Sequence, residues 1–359
     1  MDSSVVSNTV MPLNKRMLEQ RSYMDCLSEL VHSSECLSSK GYITALLSDA
    51  DLEKKRRCAR CNSLLSKKQR PPRSKPLPKQ DPTNSDPPSL FASNVPDEID
   101  SLGLERLQLE ETRAPVMRCR FHDGKKVNKR WTCCGEHLMG PPCKQEEKHQ
   151  PEERTLKEIS TRWQHSETPS STTRITRKAV VIDCEMGTAA SGDCELIRLT
   201  LIDYFSNHVL IDKLVWPDVL MSHLNTKWSG VTWKLLYEAR KEKRCILGWK
   251  NARALIWKYV SAETIVIGHG ANSDLSSLRW IHPRIIDTLI VERNNSDETT
   301  GLSLKKLAEK RLQRIIQKGK GHDSLEDATA TRDLVHWNVA RMLEGGSSPV
   351  TDQDRTCLP

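Results

Sequence analysis

The chain has 359 residues, enough for two domains at roughly 100–200 residues each. Charged residues make up 28% and apolar residues 37%, so linker or disordered segments are expected beside any folded core. Lysine plus arginine outnumber the acids by 55 to 47, a mild net charge of +8 that permits a polyanionic partner without requiring one. No apolar run reaches the roughly 18 residues of a membrane helix, and the first 25 residues lack an apolar signal core. Neither a membrane protein nor a secreted one is expected.

In chain order, residues 1–57 read as a helical or disordered region. Two short helices, at 18–31 and 43–54, suit packing or docking better than catalysis. Residues 58–150 form a Cys/His region interrupted by a linker at 66–113, because eight of the 18 prolines fall between Pro71 and Pro96 among polar residues. A second polar linker covers 151–177. An α/β domain then spans 178–343, with β-branched strands at 179–182, 196–203, 208–215 and 264–267. Helical spacing marks Trp249, Ala252, Leu255, Ile256 and Tyr259, the stretch 303–312 capped by Ser303, and a last helix at 324–343. Seven of the nine tryptophans lie in this domain, which places the folded core there. Residues 344–359 read as a flexible tail.

Acidic residues sit at the ends of these elements. Asp183 and Glu185 close the first strand and project to one side, since strand side chains alternate. Two carboxylates held together repel unless a cation lies between them. The strand at 264–267 runs through a glycine-loosened turn to Asp274 at a helix start. Further on, Gly321-His322-Asp323-Ser324-Leu325-Glu326-Asp327 lets a loop histidine face an aspartate in the first helical turn. Carboxylates suit hard cations such as Mg²⁺ or Mn²⁺. Two such ions can clamp both oxygens of a breaking phosphodiester, with a neutral histidine accepting the water's proton.

Asp183-Cys184-Glu185-Met186, Gly268-His269 through Asp274-Leu275, and His322 through Ala328 resemble the three motifs of the DEDDh exonuclease superfamily. The resemblance is greatest to its Rex-type RNA exonuclease branch, and Glu195-Leu196-Ile197-Arg198, Ser229-Gly230-Val231-Thr232, His282-Pro283 and Ser303-Leu304-Lys305 fit that branch too. It covers about residues 178–343. It implies a ribonuclease H-like fold, a mixed five-stranded sheet flanked by helices, preceded by the small zinc-binding region and disordered linkers. It further implies that Asp183, Glu185, Asp274 and Asp327 hold two Mg²⁺ or Mn²⁺ ions and that His322 is the general base. The implied reaction is 3′-to-5′ hydrolysis of RNA, releasing nucleoside 5′-monophosphates from single-stranded 3′ ends. Asp287, which also ends an apolar strand, competes with Asp274 for the second motif; the Gly-His-turn-Asp pattern favours Asp274. Seven Lys or Arg between Lys305 and Lys320 read either as a phosphate guide or as a solvated helix face.

Eight Cys or His residues come in local pairs: Cys58 with Cys61, Cys119 with His122, Cys133 with Cys134, and Cys143 with His149. Eight such ligands suit two closed, structural tetrahedral Zn²⁺ sites. Cys119 through Gly124, Trp131 through Cys134, and Cys143 with His149 resemble the CHORD zinc module and the N-terminal regions of fungal Rex-type exonucleases. The insertion after Cys61 departs from that pattern. A protein partner and RNA contact are both open for this module. Competing functions are a DNA exonuclease and a non-catalytic nucleic-acid-binding adaptor, although an adaptor needs none of the four acids. The run Lys54-Lys55-Arg56-Arg57 and residues 67–79 read as nuclear signals, so the expected address is the nucleus, with the cytoplasm as the second.

Overall fold

The computed structural model describes residues 21–65, 117–137, 140–170, 176–294, 303–319 and 321–344. The proline-rich linker, the basic stretch 67–79, Lys320 and the tail after residue 344 lie outside the described residues. The chain divides into two units, residues 1–53 with 156–359 and residues 54–155.

The first unit begins with helices α1 (Arg21–Glu29), α2 (Ser34–Ser39) and α3 (Asp49–Glu53). α2 starts cleanly because the Ser33 hydroxyl accepts from the Cys36 N–H at 3.2 Å. These helices belong to the same unit as residues 156–359 rather than to a separate N-terminal region. Tyr23, Leu27 and Leu30 pack with Val181, Ile202 and Ile267 on one face of the sheet, whereas Leu37 and Tyr42 pack with Val180, Leu199 and Val266 on the other. Between them, the His32 N–H donates to the Ile285 carbonyl at 2.9 Å.

The second unit is small. Strand β1 (Cys119–Phe121) pairs antiparallel with β4 (Lys144–Glu146), and β2 (Lys126–Val127) forms a hairpin with β3 (Arg130–Trp131). Of the basic run before Cys58, Arg57 is buried and Arg56 donates to the carbonyls of Glu152 and Arg154. Both arginines therefore build the unit.

The chain then returns to the first unit through α4 (Leu156–Trp163) and β5 (Ser166–Glu167), inside the stretch read as a polar linker. α4 is anchored by an ion pair from Arg162 to the buried Glu195 at 2.8 Å, and Trp163 stacks under the buried Arg279 guanidinium. The sheet follows: β6 (Ala179–Ala189), β7 (Cys194–Asp203), β8 (Val209–Trp216), the short β9 (Met221–His223) and β10 (Ile246–Leu247), β11 (Ile265–Gly268) and β13 (Ile285–Asp287). Its order is β10-β8-β7-β6-β11-β13, with β9 added beside β6. β6, β7 and β8 are antiparallel neighbours, whereas β11 runs parallel to both β6 and β13. Five principal strands thus make the mixed sheet that was expected, and the two short strands extend it to seven. β12 (Trp280–Ile281) lies outside it and pairs with β5.

Helices α5 (Thr226–Ser229), α6 (Trp233–Lys241), α7 (Gly248–Ile256), α8 (Asn272–Ser277), α9 (Thr288–Asn294), α10 (Leu304–Leu312) and α11 (Ser324–Leu343) complete the unit. Ser303 caps α10 and Asp323 caps α11. α11 buries Ala328, Val335 and Val339 against Val181 and Ile267, and Ser324 at its start meets Thr200 partway along β7.

Candidate active site and metal centres

Asp183 and Glu185 stand opposite Thr200 and Arg198 of β7, on one face of the sheet. The register shifts between Glu185 and Met186, so the pairing is re-aimed at the point where the second carboxylate leaves the strand. Two contacts draw the start of α11 onto that face. The Thr200 and Ser324 hydroxyls meet at 2.6 Å, and Arg198 pairs with Asp323 at 3.1 Å. Asp327, in the first turn of α11, therefore reaches the Asp183–Glu185 pair. Asp274 arrives from the start of α8, where its carboxylate accepts the Cys184 N–H at 3.0 Å.

The electrostatics show how close these groups lie. Burial, followed by the fields of Asp274, Asp327 and Glu185, holds Asp183 well above the usual carboxylate range. Burial and then Asp327 push Glu185 up to about 8, against the opposing field of Arg198. Burial also lifts Asp274 to about 7 and raises Asp327, although Gln317 and His322 act to lower the latter. The four carboxylates share charge that the field of Arg198 offsets only in part, a set matched to hard divalent cations.

His322 lies beside this cluster with its Nδ1 3.5 Å from Asp327 Oδ2. Its N–H donates to the Trp228 carbonyl at 2.6 Å, and the two rings meet edge-on at 6.4 Å. The loop that carries it is pressed against the turn after α5. A Cβ on Gly321, whose φ is +89°, would fall 2.5 Å from the Cα of Gly230. A cleft of about 560 Å³ opens beside His322, lined by Arg198, Lys213, Leu235, Arg244 and Gln317 among others.

Asp287 is engaged elsewhere. One of its oxygens accepts the N–H groups of Gly270 and Leu289 at 2.7 and 2.9 Å, and the other accepts the Tyr42 hydroxyl at 2.6 Å. It holds the turn that presents Asp274.

Two residues that the sequence reading gave no role take part. The Gln317 amide donates to both oxygens of Asp327, at 3.1 and 3.0 Å, from a backbone with φ of 56°. Arg198, 3.1 Å from Asp212 and from Asp323, spans β7, β8 and the α11 cap. Gln317 carried no sequence signal, being one amide inside a basic run. Of that run, Arg311 pairs with Glu292 and Arg314 with Asp333, so part of its charge is structural.

The second unit brings all eight Cys/His candidates together, regrouped. Among the described residues, Cys58, Cys61, Cys119 and His149 form one quartet and His122, Cys133, Cys134 and Cys143 another, each with ligand atoms within 4.8 Å of one another. The local pairs Cys119 with His122 and Cys143 with His149 are thereby split between sites. Four ligands at 2.0–2.3 Å from a tetrahedral zinc ion would sit roughly 3.3–3.8 Å apart. The Cys58–Cys119, Cys134–His122 and Cys143–Cys133 separations are 3.6, 3.4 and 3.5 Å. Although burial opposes it, donors including the Cys61 and Arg60 N–H groups bring the Cys58 thiol down to about 6.

No family model matches the chain. It is similar to RNA exonuclease 3 of Candida albicans, 35% identical over 251 residues, covering 67% of this chain and 59% of that protein. It is similar also to RNA exonuclease 3 of Eremothecium gossypii, 32% identical over 67% of this chain and 63% of that protein. The chain thus spans about three fifths of the length of these two relatives. Among solved structures, the Neurospora crassa Pan2 catalytic unit, with its protease and nuclease domain, overlaps 54% of this chain and 33% of its own at 23% identity and a TM-score of 0.42.

Proposed function

We propose that the chain is a metal-dependent 3′-to-5′ exoribonuclease of the Rex type, with a structural zinc module in its second unit. The observation that carries this reading is the convergence of Asp183, Glu185, Asp274 and Asp327 from three separate segments, beside His322. The similarity to proteins named RNA exonuclease supports it. The four carboxylates would hold two Mg²⁺ or Mn²⁺ ions, which supply charge stabilisation to the attacking and leaving oxygens of a phosphodiester. With Nδ1 turned toward Asp327, Nε2 of His322 is the nitrogen that takes the water's proton. Gln317 holds the Asp327 carboxylate in orientation, and Arg198 ties the α11 cap to the sheet. In the second unit, each Cys/His quartet would close around one Zn²⁺ without an open position, leaving a structural role.

Hydrolysis of 3′- and 5′-labelled single-stranded RNA by the full chain, with Mg²⁺ or Mn²⁺, tests the reading. The RNA should shorten from a free 3′-hydroxyl and release 5′-monophosphates, and a 3′-phosphate should block it. Asp274→Asn should lose at least about 10²-fold in rate, since a bound ion supplies several kcal/mol to the transition state. Cutting of circular RNA would refute exonuclease action, and a faster rate on DNA would move the substrate class to DNA.

A further inference from the structure

We infer that the Trp228 ring is a stacking platform for an RNA base at one of the two nucleotides flanking the scissile phosphate. The inference rests on the exoribonuclease reading and adds a binding residue to it. Trp228 is 60% exposed, in a chain whose Trp280 and Trp249 are buried in the core. With most of its surface still in water, the ring adds less to folding than a buried tryptophan would. Its place is fixed from two sides. The Asn225 amide donates to the Met186 carbonyl, one residue beyond Glu185, at 3.1 Å, and the Trp228 carbonyl accepts the His322 N–H.

The turn itself is closed. The Trp228 N–H donates to Asn225 O at 2.7 Å, and the hydroxyls of Thr226 and Ser229 donate to Val231 O and Leu224 O, each at 2.7 Å. A ring mounted this way is pre-organised, so a ligand that stacks on it orders little further chain. The Lys227 ammonium lies over one face of the ring, 4.8 Å from its centroid; its long, flexible side chain yields that face to a base and stays close enough to meet the phosphate. An aromatic face with an adjacent cation is the combination that single-stranded nucleic acid takes, and it is tolerant of base identity.

Binding of the full chain to fluorescent eight-nucleotide RNA, with no divalent cation added, isolates this contact from hydrolysis. Trp228→Ala should bind about 5-fold more weakly or worse, and Trp228→Phe should recover most of the loss. RNA with an abasic residue at the terminal or penultimate position should show the same loss with the wild-type chain. At one of those positions Trp228→Ala should not distinguish abasic from intact RNA. Equal binding by wild type and Trp228→Ala overturns the inference, as does a loss that persists undiminished on both abasic strands. A wild-type chain that shows the base-to-ring coupling yet never hydrolyses RNA refutes the exonuclease reading and leaves the platform standing. Should Trp228→Ala fail to fold, the abasic comparison with wild type and Trp228→Phe decides alone: no loss at either position overturns it.

Discussion

Burial raises Asp183, Glu185, Asp274 and Asp327 alike, and neighbouring carboxylates add to it, which makes the metal-free site a store of unfavourable charge. The consequence for stability has a definite sign. A carboxylate whose folded pKa is raised favours the folded state fully below its unfolded pKa, and that contribution is lost as pH climbs through the folded value. For Glu185, raised from 4.5 to about 8, the window runs between those two values. Glu185→Gln should therefore melt higher than wild type at pH 8 without added divalent cation. The gain has an upper bound on the order of 4 kcal/mol and should vanish near pH 4. Adding Mg²⁺ at pH 8 should reverse the order, because the wild-type carboxylate then gains a partner. Thermal melts across pH, with and without Mg²⁺, check this; a variant less stable than wild type at pH 8 in the absence of the ion would show that the carboxylates are already compensated.

Among the elements, the contact between two turns sets where His322 stands. Gly321→Ala places a Cβ against the Gly230 backbone in a left-handed conformation, so the loop must shift. A displacement of about 1 Å costs on the order of 10²-fold in rate, and it should appear in kcat with KM little changed. In a His322→Ala background the same change should add almost nothing, whereas additive losses would mean that Gly321 acts through something else. This packing was not legible in the sequence, since neither glycine announces its partner about 90 residues away. The carboxylates were legible because strand alternation and helix starts are local facts. Asp183 with Glu185, and Asp327 in a first turn, could be placed before any tertiary contact was known. The sequence closes β6 at Asp183-Cys184-Glu185, because the β-branched run ends at Ile182; pairing with β7 on one side and β9 farther along carries the strand to Ala189. α4 was missed for a related reason: of its eight residues only Ile159 is buried, and Arg162 and Trp163 anchor it through charge and stacking rather than an apolar stripe. The two Cys/His quartets were visible as eight ligands, but their grouping follows from the β1–β4 pairing, which no local spacing encodes. Elemental analysis of the purified chain should find two zinc ions. Cys119→Ser should lose the ion shared with His149, and loss of both or neither would contradict the grouping.

For the molecule as a whole, the N-terminal helices decide what the complete first unit is. Residues 21–42 pass from one face of the sheet to the other around β13, and His32 satisfies the outer edge of that strand. An open edge strand is a site for wrong pairing and aggregation. The segment also supplies Tyr23, whose hydroxyl lies 2.9 Å from that of Tyr204 and 2.6 Å from His336 Nδ1, and Tyr42, which donates to Asp287 behind Asp274. Tyr23, Leu27, Leu30, Leu37 and Tyr42 are each buried, at 5% exposure or less. At about 1.5–3 kcal/mol apiece, an upper estimate, they contribute on the order of 10 kcal/mol, comparable with the entire stability of a domain. A fragment of residues 156–359 holds all four carboxylates and His322 yet lacks this clip. It should be insoluble or melt at least roughly 10 °C below the full chain. Residues 1–53 joined to 156–359 by a flexible Gly/Ser linker in place of 54–155 should regain the melting temperature and the hydrolytic rate on short RNA, because α3 and α4 are neighbours within the same unit. Leu27→Asp in that shortened chain should undo the recovery. A fragment of 156–359 with full stability and rate would show instead that the clip is an ornament on a fold complete without it.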